Sequence, residues 1–218
     1  MLSSKPTKYG SGILLYGDYF DLTAVHETIH TLVKGPPLDE NTGNYVLSVA
    51  YDLRKAYEGS RERIKLGNFD RRPTFYLGVK FPWPSFLMYL GILRWAAGFH
   101  ALAKADLSIL LRLESCAEES LEEFDSKTGK KAVAWLNNFS GIDDGYLPEV
   151  IVKAELRYLS QPKGGISRFK HLPSVLTLMN PLSREYNEFR TSTIQRAKKL
   201  HCRPHDLRLE SEYPKFKW

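Results

Sequence analysis

The sequence predicts an α+β fold in which helices dominate. Apolar residues recur at helical spacing over most of the chain, a short strand-like segment lies near the N-terminus, and a β-rich segment at about 62–81 has the pattern of a hairpin. We therefore expect a small antiparallel sheet, made of the N-terminal strand and the hairpin, to pack against a helical bundle. We expect one domain over 1–218, with a β-containing part at 1–81 and a helical part at 82–218.

The first elements follow from the positions of glycines and apolar residues. Segment 9–19 places glycines around a short apolar run, which predicts a strand. Asp21 occupies the position of a helix N-cap, and the apolar residues after it predict a first helix that ends before Gly35. Helical spacing over 46–57, with Gly59 in the position that ends a helix, predicts the second helix.

The β-rich segment and the prolines after it mark the change from sheet to helices. Residues 63–66 and 74–81 are rich in β-formers and flank the turn-like segment 67–73, which predicts the hairpin. Pro82 and Pro84 suit the first turn of a helix, because proline has a fixed φ and no N–H to donate. Further helices are expected at about 84–103, 106–124, 129–139, 147–160 and 182–200, with breaks at 126–129, 140–145 and 161–165.

Composition indicates a protein of a reducing compartment. The chain has 218 residues, a formal net charge of +6 and two cysteines, which excludes a disulfide framework and a cysteine-rich metal site. Residues 1–12 are polar and lack the apolar region of a signal peptide, which predicts a cytoplasmic location. Segment 84–103 approaches the length of a membrane span, but Arg94 lies at its middle. We interpret it as a buried helix whose arginine reaches the rim, and we expect no membrane partner.

The sharpest local motif is H-E-x-x-H at 26–30, inside the first predicted helix. In zinc peptidases this spacing places both imidazoles on one helix face toward the metal, while the glutamate activates the metal-bound water. The motif therefore indicates a zinc-dependent hydrolase with His26 and His30 as ligands and Glu27 as general base. No nucleophile elbow, Walker A loop or dinucleotide fingerprint occurs in the sequence.

Three features of the sequence argue against zinc chemistry. Thr28 stands where zinc peptidases usually carry a large apolar side chain, and no downstream histidine supplies a third ligand. Asp52 or Glu58 on the next helix would serve as that ligand only by conjecture. On a helical wheel both histidines border the apolar stripe, while Glu27 points to water. Two boundary histidines satisfied by hydrogen bonds explain the pattern equally well, so we expect no bound metal and no cofactor.

The C-terminal region offers a second candidate site, a nucleic-acid interface. Lysine and arginine displace counterions from a phosphate backbone, and aromatic side chains provide surfaces on which bases stack. Cations at the C-terminal end of a helix also stabilise its dipole, and terminal aromatic residues often pack back onto the body, so both interpretations stay open. The candidate contacts are Arg190, Arg196, Lys198, Lys199 and Arg203, and the aromatic residues after them are Tyr213, Phe216 and Trp218.

Three stretches in the first half of the chain carry a family resemblance. They are KPTKYGSGILLYGDYFDL at 5–22, LSVAYDLRKAYEGSRE at 47–62 and FPWPSFLMYLGIL at 81–93. These stretches resemble an uncharacterised bacterial family of about this length, known only as a domain of unknown function. The resemblance implies a whole small protein of bacterial cytosolic origin, and it implies no mechanism.

The leading functional hypothesis is therefore a non-enzymatic binding protein. It would contact nucleic acid or a partner protein through its basic C-terminal part, or associate with a second copy of itself. The zinc-dependent hydrolase that uses His26 and His30 is the alternative hypothesis.

Overall fold

The strands and helices follow one another largely as the sequence predicts. The computed structural model describes residues 1–34, 37–69, 72–139, 141, 146–207 and 212–218. The strands are β1 (Ser3–Pro6), β2 (Gly12–Gly17), β3 (Glu62–Phe69) and β4 (Arg72–Pro82). The helices are α1 (Tyr19–Val33), α2 (Glu40–Tyr57), α3 (Trp83–Ala97), α4 (Lys104–Phe124), α5 (Ser126–Asn137), α6 (Leu147–Leu159), α7 (Ile166–Phe169), α8 (Leu172–Leu178) and α9 (Arg184–Lys199), followed by a 3₁₀ turn at Pro204–Asp206. This is the predicted α+β fold, predominantly helical with a small antiparallel sheet.

Strand β1 is an edge strand that the sequence pattern did not predict. The four strands lie in the order β1-β2-β4-β3, and all neighbours are antiparallel. Ser3 pairs with Tyr16, and Pro6 pairs with Ile13. An edge strand tolerates polar residues and proline, because one of its sides makes no ladder hydrogen bonds. The strand conformation of β1 therefore depends on its partner β2 more than on its own composition.

The predicted hairpin is confirmed, but its strands are longer than expected. Gly67 pairs with Thr74, and the ladder continues to the last residue of β3 and the first of β4. Most of the predicted turn at 67–73 is therefore paired strand. A register irregularity between Lys65 and Gly67 lets the ladder run through these turn-type residues. The residues at the tip, 70–71, lie outside the described part of the chain.

The prediction that Asp21 caps α1 is wrong, because Asp18 is the N-cap. Asp21 N donates to Asp18 Oδ1 at 2.8 Å, and Asp18 N donates to Asp21 Oδ2 at 3.0 Å. The two aspartates form a reciprocal capping box, with Asp21 as its third helical residue. Both residue types suit both positions, so composition alone did not decide which aspartate comes first.

The predicted break at 126–129 is also wrong, because Asp125 alone separates α4 from α5. The Asp125 side chain accepts a hydrogen bond from Thr128 N at 3.0 Å and so caps α5. The glycine in this segment serves packing rather than chain termination. A Cβ added at Gly129 would lie 2.5 Å from Leu121 O, so only glycine allows the two helices to approach this closely.

The other helix boundaries differ in three smaller ways. Helix α3 ends at Ala97, so the predicted helix at 84–103 is too long. The predicted break at 161–165 is confirmed, and the short helices α7 and α8 after it were not predicted. The predicted break at 140–145 lies almost entirely outside the described residues.

A continuous hydrophobic cluster joins the inner face of the sheet to the helices. Helix α3 lies at its centre, and residues 83–93 are all buried. Arg94 follows this buried stretch and reaches the surface, as the sequence predicts. It pairs there with Glu114 of α4, a contact that the sequence did not predict. In the part of the chain that the structure describes, no helix is long and apolar enough to cross a membrane.

Candidate functional site

The histidine pair lies on one face of α1, as its spacing predicts. The ring centroids of His26 and His30 are 4.5 Å apart, and the ring of Tyr57 in α2 lies 5.7 Å from that of His26. Both imidazoles are half-buried, whereas Glu27 is exposed. The pair therefore lies at the edge of the α1–α2 contact, where solvent reaches it.

The environment of His26 favours a neutral imidazole. Burial lowers the pKa of His26, and the positive charges of His30 and Arg54 lower it further. A neutral ring keeps a free lone pair at physiological pH, which coordination of a metal ion requires. The histidine pair can therefore supply two nitrogen ligands.

The neighbouring carboxylates do not complete a catalytic metal site. Asp52 accepts a hydrogen bond from Arg61 at 2.6 Å, and Glu58 accepts one from Lys55 at 2.9 Å, so both conjectured ligands are held in ion pairs. Across residues 1–34, 37–69, 72–139, 141, 146–207 and 212–218, no group of three histidine, cysteine, aspartate or glutamate side chains is placed to hold a metal ion. A catalytic zinc ion needs three protein ligands and one open position, and this region supplies two.

The basic residues of the C-terminal region do not share one surface. With about 100° per residue, Arg196, Lys198 and Lys199 lie about 240°, 80° and 180°, respectively, around the axis of α9 from Arg190. Arg190 lies over the ring of Tyr146 at 5.7 Å, and Arg203 pairs with Asp206 at 2.9 Å. Arg196 lines a groove on another side of the helix, and Lys198 and Lys199 are exposed. The structure therefore does not bring the five candidates together as a continuous basic strip.

The C-terminal tail, residues 212–218, packs back onto the body of the protein. The Tyr213 hydroxyl donates a hydrogen bond to the Glu155 carboxyl group in α6, and Phe216 packs against the hydrophobic core. Ser11 Oγ donates to the carbonyl oxygen of Lys217 at 2.5 Å. Tyr213 and Phe216 are therefore engaged in contacts with the body, so the tail does not present a row of free rings on which bases could stack.

A groove separates α6 from α9. Helix α6 packs against α3 and α8, whereas α9 packs against α8 and the 3₁₀ turn, which leaves a gap between α6 and α9. Two adjoining cavities of about 330 Å³ and about 390 Å³ occupy this gap and share Lys153, Phe189 and Ser192. Phe189 is only 4% exposed, and Leu156 and Leu207 lie beside it. The groove therefore has an apolar floor between two polar helix surfaces.

The charges around the α6–α9 groove are unevenly paired. Two ion pairs lie along it, Arg157 with Glu185 at 2.8 Å and Arg184 with Glu188 at 2.7 Å. Lys153 lies over the Phe189 ring at 4.8 Å. Within the described residues, neither Lys153 nor Arg196 forms an ion pair. Glu149 lines the same cavity but is buried, whereas Lys153 and Arg196 are exposed. The exposed charges outside ion pairs in this groove are therefore positive.

On another face, α6 carries Glu155, a buried carboxyl group that the sequence analysis did not identify. Tyr213 in the C-terminal tail donates a hydrogen bond to it, and the hydroxyl groups of Ser85 and Tyr89 in α3 and of Tyr45 in α2 lie in the same region. Burial raises the pKa of Glu155, and the hydroxyls of Ser85 and Tyr213 oppose that rise. No lysine, arginine or histidine of the described chain forms an ion pair with this carboxyl group.

One signal in the sequence points to Glu155. It lies four residues after Ile151 and three before Tyr158, so helical spacing places it on the same side as these two core residues. A carboxyl group on an apolar helix face must find hydrogen-bond partners or change its pKa. The pattern does not identify Tyr213, because a partner 58 positions away in sequence becomes a neighbour only through folding.

Comparison with known proteins places the chain in a family context. The model of a family described as Domain of unknown function (DUF6904) matches residues 2–218. No curated protein and no solved structure gives a significant match. The family match covers β1, the helices and the C-terminal tail, and it assigns no activity.

Proposed function

We propose that this chain, which belongs to the DUF6904 family of unknown function, is a non-enzymatic binding protein. The proposed site is the α6–α9 groove, and the proposed ligand is an acidic segment of a partner protein that also carries an apolar side chain. One observation carries the proposal: Lys153 and Arg196, two cations without an acidic partner in the described residues, flank the apolar floor at Phe189.

The dimensions of the groove suit a side-chain anchor. Its cavity of about 330 Å³ lies at the lower end of the usual range for ligand pockets, about 300–1,000 Å³. An apolar side chain of the partner would bury its surface mainly against Leu156, which is partly exposed, and against the small accessible part of Phe189. Carboxylates beside that anchor would pair with Lys153 and Arg196, because within the described residues neither forms an ion pair and the nearby Glu185 and Glu188 are held by Arg157 and Arg184.

A protein segment fits this site better than a nucleic acid does. Binding a phosphate backbone depends on several cations on one side of the protein, whereas the basic residues of α9 point in several directions. Stacking needs exposed aromatic rings, whereas Phe189 is buried and Phe216 packs against the core.

The location of the protein enters the proposal as well. The resemblance and the two free cysteines suggest a bacterial, cytoplasmic protein, so we propose that the partner is a cytoplasmic protein.

The test uses two fluorescein-labelled peptides that share a leucine–phenylalanine anchor. One peptide carries glutamates beside the anchor, and the other carries lysines. Fluorescence anisotropy with the full-length protein should show binding of the glutamate peptide and not of the lysine peptide, because the uncompensated charges of the groove are positive. The affinity should fall as salt is added, since salt screens exposed charges.

A charge-matched pair of variants locates the binding site. Lys153→Glu with Arg196→Glu reverses both groove charges and should weaken binding of the glutamate peptide by at least about tenfold. Lys130→Glu with Lys131→Glu makes the same change in net charge on exposed positions of α5 and should leave binding unchanged. Equal effects of the two variants, or no binding of the glutamate peptide, contradict the proposal. A preference for an oligonucleotide over both peptides supports the nucleic-acid hypothesis instead.

The zinc-dependent hydrolase is the second candidate, and the close approach of His26 and His30 favours it. Elemental analysis of untagged protein beside its His26→Ala variant separates the two functions. Near-stoichiometric zinc that is lost in the variant supports the hydrolase, and Glu27→Ala should then keep the metal and abolish hydrolysis. Metal-free protein contradicts the hydrolase and leaves the binding function.

A further inference from the structure

The distal end of the C-terminal tail is held by a buried hydrogen-bond chain. Arg168 is 5% exposed, and its Nη1 donates to Ser11 Oγ at 2.6 Å. Ser11 Oγ in turn donates to the carbonyl oxygen of Lys217, while Phe216 packs against the core beside it. The tail therefore has a fixed anchor near its end.

The proximal end of the tail is held differently, by the Tyr213 hydroxyl on the Glu155 carboxyl group. The groups that face Glu155 are hydroxyls: Tyr45 from α2, and Ser85 and Tyr89 from α3. Helix α8 also packs against α6 and contains no titratable residue. Tyr213 is thus a donor to a buried acid that, within the described chain, has no cation beside it.

This arrangement makes docking of the tail depend on the charge of Glu155. An ionised carboxylate that is buried without a cation loses its hydration at a large cost in free energy, whereas a protonated carboxyl group is buried at a much lower cost. Tyr213 lies between Glu155 and solvent, since the residue is about half exposed while its hydroxyl group contacts the buried carboxyl group. Movement of Tyr213 is therefore the direct way for an ionised Glu155 to reach water.

We propose that the C-terminal tail is a proton-linked strap that is docked on α6 while Glu155 is protonated and is released from α6 when this carboxyl group ionises. The direction of the pKa shift agrees with this geometry, because burial raises the pKa of Glu155. Burial, together with the Glu155 carboxyl group, also raises the pKa of Tyr213, so the phenol keeps its proton throughout.

The sign of the pH dependence follows from linkage. The docked state binds the Glu155 proton more tightly than the released state, in which the carboxyl group is hydrated. Docking is therefore complete below the ordinary glutamate value of 4.5 and weakens as pH rises through the raised pKa of Glu155. The groove of the proposed function involves other side chains of α6, so the two proposals stand or fall separately.

The experiment is a pH titration of full-length protein labelled with 5-fluorotryptophan and followed by ¹⁹F NMR. Glu212→Trp, made together with Trp218→Phe, places an exposed reporter beside Tyr213, and the spectrum of Trp218→Phe alone assigns its signal. Trp83 is fully buried and reports on the core. As pH rises, the reporter signal should move to the position of a fully solvated indole while the Trp83 signal stays native.

Two variants decide the outcome. Each is made in the protein that carries the reporter. Glu155→Gln has the shape of the acid and cannot ionise, so the reporter signal should stay at the docked position at every pH. Tyr213→Phe loses the donor, so its tail should leave α6 at lower pH than in the parent protein. The proposal is overturned if Glu155→Gln titrates like the parent, if Tyr213→Phe keeps the parent midpoint, or if the reporter moves only when Trp83 also loses its native signal.

Discussion

Helices α1 and α6 differ in how their sequences relate to their surroundings. Helix α1 carries the sharpest motif of the chain, and its histidines lie half-buried at an edge with no third ligand among the described residues. Helix α6 carries no motif, yet it lines the α6–α9 groove on one side and contacts the C-terminal tail on another. The spacing of residues along one helix therefore predicts which side chains are neighbours on that helix. A site built from several segments cannot be predicted from the sequence of any one of them.

The two regions also differ in whether their polar side chains need hydrogen-bond partners within the protein. The His26 and His30 rings remain reachable by water, so neither ring must have a protein partner. Glu155 and Arg168 are buried, and each depends on groups from distant parts of the chain. We therefore expect substitutions around α6 to change stability more than substitutions on the histidine face of α1.

The largest expected effect is the loss of Tyr158, which is fully buried in α6 and donates from its hydroxyl to the carbonyl oxygen of Gly10. Tyr158→Ala should lower the free energy of unfolding by about 3–5 kcal/mol, because it leaves a large cavity. His30→Ala should lower it by less than about 1 kcal/mol. Urea unfolding of both variants measures these changes, and equal losses would contradict the contrast between the helices.

A smaller effect is expected at Ser11, which links Arg168 to the C-terminal tail. Ser11→Ala should cost about 1.5–3 kcal/mol, because a buried guanidinium loses an acceptor and the carbonyl group of Lys217 loses a donor. Ser167→Ala, at an exposed position of α7, is the control and should stay within about 0.5 kcal/mol of the wild type. Thermal unfolding measures both, and an unchanged Ser11 variant would show that the tail needs no such link.

The smallest expected effect is a pH dependence with opposite signs in the two regions. Because the pKa of His26 is lowered, the folded state resists its protonation, and stability falls as pH drops below the ordinary value of 6.5. Because the pKa of Glu155 is raised, its contribution to stability falls as pH rises above 4.5. Unfolding curves across this range should show that His26→Gln removes the first trend and Glu155→Gln the second. If a pH dependence of stability persists after the residue assigned to it has been substituted, that dependence comes from another titratable group.

Much of the fold could be predicted from local patterns. Helical spacing predicted α1, α2, α4, α6 and α9, and β-rich runs around turn-type residues predicted the hairpin. The wrong predictions concern positions whose conformation depends on contacts with another segment of the chain. Residues 3–6 adopt a strand conformation because they form ladder hydrogen bonds with β2. Gly129 suggested a chain break, but it lies within α5, where the missing side chain allows close contact with the backbone of Leu121.

The candidate sites show the same limit. The spacing of His26 and His30 correctly predicts their proximity on α1, and the tertiary packing explains why Thr28 interrupts the motif. Thr28 is buried and donates a hydrogen bond to Asp106 of α4 at 3.0 Å, a contact that a large apolar side chain cannot make. The α6–α9 groove depends on which helices α6 and α9 each pack against, and no pattern within either helix contains that information.

The most direct test of the account compares the two regions in one binding assay. Full-length wild-type protein, the Lys153→Glu/Arg196→Glu variant and a His26→Ala/His30→Ala variant are titrated with the glutamate-bearing peptide and followed by fluorescence anisotropy. The account predicts that the groove variant loses affinity by at least about tenfold and that the histidine variant binds like the wild type. Loss of binding in the histidine variant with the groove variant unaffected would place the function on α1 and contradict the account.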